Sequence, residues 1–81
     1  MTTPAPVLIQ TDRGRIHRRG SFIMAERHAR RLVTRGDAEG AWVYTVPDGA
    51  CLAEVYLDGA GAVLTDLLPA GLAAWNREVR G

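Results

Sequence analysis

Eighty-one residues with 47% apolar content and a formal net charge of +1 describe one small folded domain, which excludes a disordered tail as the default reading. A chain of this length buries about 60–65% of its unfolded surface, so the core is thin and a large enclosed pocket is not expected. The single cysteine excludes an internal disulfide, and no apolar run has the length of a membrane span or the shape of a signal peptide, so the expected setting is the cytosol.

In chain order, residues 1–6 (MTTPAP) are proline-spaced and read as a flexible arm, leaving 7–81 as a single domain. Val7 to Gln10 predicts a short strand, Thr11 to Gly14 a turn, and Arg15 to Arg19 a return strand at a sheet edge, with Ile16 as its inward residue. After a turn at Gly20-Ser21, the run from Phe22 predicts a helix. Its inner positions, Ala25, Ala29, Leu32 and Val33, fall at i, i+4, i+7 and i+8. Glu26 is the first-turn carboxylate of a helix with no strong cap, and Gly36 stands where a left-handed residue ends it.

A loop from Gly36 to Gly40 leads to an alternating strand, Trp42 to Val46, whose aromatics Trp42 and Tyr44 are expected in the core. Pro47-Asp48-Gly49 is a turn. Cys51 to Leu57 alternates again, with Cys51, Ala53, Val55 and Leu57 expected on the buried face. Asp58 to Gly61 is a hairpin turn and Ala62 to Thr65 the return strand. A last helix starts at Leu68-Pro69, with Leu68, Leu72, Trp75 and Val79 as its apolar stripe. The expected fold is α+β: an N-terminal hairpin, an amphipathic helix, a three-stranded antiparallel meander and a C-terminal helix packed on the sheet.

All ten basic side chains are arginine, and eight of them lie in residues 1–40 against four carboxylates. Residues 41–81 invert the balance, with two arginines against five carboxylates. Arg13, Arg15, Arg18, Arg19, Arg27, Arg30, Arg31 and Arg35 are therefore the candidate partner-binding residues. Such a polarised chain can dock on an acidic protein or on copies of itself as a homo-oligomer, and nucleic acid is a second possible partner.

Catalytic chemistry finds little to work with. His17, His28 and Cys51, the soft ligands, lack the spacing of a metal site. Cys51 reads as a buried thiol rather than a nucleophile, and no glycine loop has a phosphate-binding spacing. The expectation is a non-enzymatic protein–protein interaction module with no catalytic residue, cofactor, metal or small-molecule substrate.

The run from Gly20 to Glu39 resembles a module of small bacteriophage head–tail proteins. There a hairpin strand leads into a helix patterned by alanine, a leucine–valine pair, glycine and alanine, and another strand follows; Ala29, Leu32, Val33, Gly36 and Ala38 match. The likeness covers about a quarter of the chain. It implies a virion assembly or accessory protein that works by contact. Gly14-Arg15-Ile16, Arg31-Leu32 and Gly36-Asp37 also resemble pieces of swapped-hairpin antitoxin-type DNA-binding domains, which implies the alternative of a small DNA-binding regulator.

Overall fold

Alternation in β1 (Val7–Thr11) sends Val7, Ile9 and Thr11 into the interior and leaves Gln10 outside. β2 (Ile16–Arg19) pairs antiparallel with it, and Ile9 opposite His17 fixes the register. Because Ile9 must point inward, His17 and Arg19 do too, and Ile16 faces out at 60% exposure. That reverses the expectation for Ile16. The computed structural model describes residues 7–45 and 48–80; the expected arm, Val46 and Pro47 lie outside the described residues.

α1 (Phe22–Thr34) crosses from the edge strand β2 to β3 (Gly40–Thr45), which pairs with the far side of β1. β4 (Cys51–Leu57) and β5 (Val63–Leu67) continue the sheet, giving the order β2-β1-β3-β4-β5 with every neighbouring pair antiparallel. The hairpin and the meander are thus one sheet. α1 and α2 (Pro69–Arg80) pack together on one face of it, and no described helix is long and apolar enough to cross a membrane. Phe22, Ile9, Val33, Val43 and Val55 are fully buried between the layers, each contributing about 1.5–3 kcal/mol.

α1 is better capped than its sequence suggests. Ser21 Oγ accepts the Met24 N–H, and the Glu78 carboxylate from α2 accepts the N–H groups of Phe22 at 2.7 Å and Ile23 at 2.9 Å. Glu26 does not serve the helix start; it is buried and accepts the Thr65 hydroxyl. At the other end Gly36 adopts φ 79°, and the N–H groups of Gly36 and Asp37 donate to the carbonyls of Val33 and Leu32 in a Schellman motif.

Further expectations of facing change along β3 and β4, and a bulge in β4 accounts for that of Cys51. Val43 lies opposite Ala53 and Tyr44 opposite Cys51, so Leu52 is the extra residue. Leu52 fills the inner position, and Cys51 turns to the outer face beside Tyr44. Trp42, 40% exposed, and Tyr44 are also on that face rather than in the core, because alternation follows the buried Val43, and Leu57 is exposed at the end of β4. The Leu52 carbonyl accepts the Leu68 N–H at 3.0 Å, where α2 begins.

α2 is rotated from the expected stripe. Its inward residues are Gly71, Ala74, Trp75 and Glu78, while Leu72 and Val79 are exposed. Gly71 allows this, because its backbone lies against the bulge so closely that a Cβ would sit 1.8 Å from the Leu52 carbonyl oxygen. Trp75 meets Phe22 edge to face at 6.3 Å between ring centres. Replacing Gly71 with alanine should therefore cost at least about 2 kcal/mol, read as a lower urea midpoint, because the clash is with backbone and only a shift of the whole helix relieves it.

Candidate functional site

β2 is an edge strand, so its inward side chains reach past the core to the flank of α1. There the His17 ring lies 4.8 Å from that of His28, the two planes inclined at 41°. The Arg19 guanidinium contacts His28 Nδ1. A guanidinium only donates, so this contact asks for an unprotonated ring nitrogen on His28; Nε2 of the same ring lies 3.5 Å from the same guanidinium nitrogen. Burial lowers the His28 pKa, and the charges of Arg19, His17, Arg31 and Arg35 lower it further.

Two adjoining hollows share His28. The larger, about 410 Å³, is lined by Arg13, Arg15, His17, His28, Arg35 and Asp37 among others. The smaller, about 220 Å³, is lined by Arg19, Met24, Arg27, His28 and Arg31. Together they form a groove between β2 and α1. The turn that supplies Arg13 and Arg15 is held by Thr11, whose hydroxyl accepts the Arg15 N–H at 3.1 Å, and by Gly14 at φ 80°. On the helix, Arg27, Arg31 and Arg35 repeat every fourth residue and make one ridge. Arg35 also pairs with Asp37 at 3.2 Å, but both are exposed and such a pair is worth about 0–1 kcal/mol.

Six of the eight candidate arginines thus gather on this groove: Arg13, Arg15, Arg19, Arg27, Arg31 and Arg35. Two do not. Arg18 points to the opposite face of the sheet, in register with Leu8. Arg30 binds within the fold, donating to Thr65 Oγ1 at 2.9 Å and to the Val63 carbonyl at 3.1 Å, with Glu26 Oε1 at 3.8 Å from its Nε. Its charge therefore clamps α1 to β5.

His17 and His28 were not among the candidate partner-binding residues, yet they occupy the centre of the groove. The signal for His17 lay in strand alternation, which groups it with Arg19 and Ile9; His28 gave none, since its place depends on how α1 meets the edge strand. His17 Nε2 is buried with no hydrogen-bond partner among the described residues. The third soft ligand, Cys51, lies on the outer sheet face instead, in a hollow with Gln10, Trp42 and Tyr44. Burial raises its pKa, so the protonated thiol is the favoured form.

The His28 environment sets a pH dependence. Its folded pKa is lowered, so below the usual histidine value near 6.5 the unfolded chain binds more protons than the folded one. Stability should be full above that value and fall as pH drops through the folded pKa. Urea titrations of His28→Gln between about pH 7.5 and 5 should show a flatter slope than the unaltered chain; an unchanged slope would place the titration elsewhere. Comparison with protein-family models, with curated proteins and with solved structures finds no match, so the groove's geometry alone bears on its role.

Proposed function

We propose that this chain is a non-enzymatic docking module whose groove between β2 and α1 receives carboxylate side chains of an acidic protein partner. The observation that supports this reading is convergence: six guanidinium groups and two imidazoles from the hairpin turn, the edge strand and the helix face one concave surface. Guanidinium forks bind carboxylates with two parallel hydrogen bonds, and a ring of them makes a field that steers acidic surfaces. Contact without chemistry agrees with the placement of the thiol on the other side of the sheet from both histidines. An accessory or assembly role of the kind the head–tail likeness implies would need no more than this.

The arginine ridge of Arg27, Arg31 and Arg35 favours a second reading, attachment to the backbone of duplex DNA. Asp37 lines the groove and opposes either kind of anion, so it does not separate the two readings.

Titration with a poly-glutamate peptide and with random-sequence duplex, at about 50 and about 200 mM salt, separates the two readings. The peptide should bind, weaken with salt, and lose at least about tenfold in affinity when Arg27→Glu and Arg31→Glu are combined. Duplex bound more tightly than peptide at the higher salt would replace the protein reading with the DNA reading, and no binding of either would end both.

A further inference from the structure

Among the described residues no helix lies over the outer face of the sheet. In rows across the strands it carries Arg18, Leu8, Tyr44 and Cys51; then Ile16, Gln10, Trp42, Glu54 and Asp66; then Tyr56 and Leu64. Eight large apolar side chains are exposed among the described residues, and four of them, Ile16, Trp42, Tyr56 and Leu64, are on this one face. Trp42, Tyr56 and Leu64 neighbour one another across β3, β4 and β5, with Ile16 set apart beyond Gln10, and exposed aromatics grouped in this way are the composition of an interface centre.

We infer that this face is a homodimer interface, two copies packing face to face about a two-fold axis that runs parallel to the strands along β3. Charge selects both the occupant and the axis. The cation Arg18 is on edge strand β2, and the carboxylates Glu54 and Asp66 are on β4 and edge strand β5. An axis in the sheet plane but across the strands would stack β2 on β2, setting Arg18 against its own copy and Asp66 against its own. An axis along β3 instead lays β2 over β5 of the second copy and β1 over its β4. Arg18 then comes over the strand that carries Asp66 of the partner subunit. Their rows are two residues apart, about 7 Å, which an arginine side chain reaches. Trp42, on the central strand, sits beside Trp42 of the partner subunit near the axis, the desolvated centre where aromatic anchors contribute most.

The size fits a modest dimer. Five strands spaced about 4.8 Å apart, each about five residues long, present a flat footprint of about 400 Å². That is below the roughly 600 Å² per copy of the smallest stable interfaces, so the dimer is a weak one. Sheets packed this way lie about 10 Å apart and form a closed sandwich, which gives a thin domain a second core. The arginine groove is on the other side of each sheet and stays open. The dimer and the docking reading can therefore fail separately.

Light scattering on a sizing column at about 100 µM protein tests the interface, since a small interface dissociates at low concentration. The expected mass is twice that of the 8.8 kDa chain. Trp42→Glu and Ile16→Glu should each return it to the single-chain mass with an unchanged circular dichroism spectrum. Arg18→Asp alone and Asp66→Arg alone should each weaken the dimer at least about tenfold, and the two together should restore it to within about threefold. A single-chain mass for the unaltered protein, or a dimer that survives both glutamate variants, would overturn the interface. Charge variants that fail to rescue each other would overturn the axis, and with it the inference.

Discussion

The Glu78 carboxylate holds together the parts of this fold that are farthest apart in sequence. It accepts the first two N–H groups of α1 from a position near the end of α2, so the helix that carries the groove's arginines is anchored by the helix that closes the domain. Those N–H groups are the positive end of the α1 dipole, and a carboxylate there satisfies orphan donors and opposes the dipole together. The contact also explains the course of α2. That helix is fixed at its start, where Gly71 meets the β4 bulge, and near its end, where Glu78 meets α1; Trp75 packs on Phe22 between the two. Leu72 and Val79 are left outside as a consequence.

With α1 held in this way, its two sides take different work. Ala25, Ala29 and Val33 face the sheet, and small residues there let the helix lie close. Arg30 spans to β5 and satisfies groups on Thr65 and Val63. Arg27, Arg31 and Arg35 remain on the open side and share a hollow surface with the hairpin. Bringing like charges together in this way has an electrostatic cost, part of which appears as the lowered pKa of His28. A surface that holds cations against their mutual repulsion gains when an anion arrives, which is the physical basis of the docking reading.

Element types were legible in the sequence because periodicity and turn chemistry agree along the whole chain. Strand alternation, the glycine after α1 and the proline opening α2 each marked an element that formed. Facing was less legible, for identifiable reasons. Hydrophobicity alone places Ile16 inward, but hairpin register follows Ile9, which is deeper in the sheet. Unbroken alternation places Cys51 inward, and one extra residue at Leu52 reverses it. Leu72 and Val79 matched a helical stripe, yet close approach at Gly71 decided the rotation. The gathering of arginines was visible as a charge asymmetry. That Arg18 faces away from Arg19 follows from strand alternation, whereas the anchoring of Arg30 on β5 depends on contacts between elements distant in sequence.

If anionic groups enter between the edge strand and α1, residue-resolved amide chemical-shift mapping during a poly-glutamate titration will show shifts concentrated in residues 13–19 and 27–37 while the outer positions Trp42, Glu54 and Leu64 stay still. Shifts centred on the outer sheet face, or scattered evenly over the surface, would contradict it.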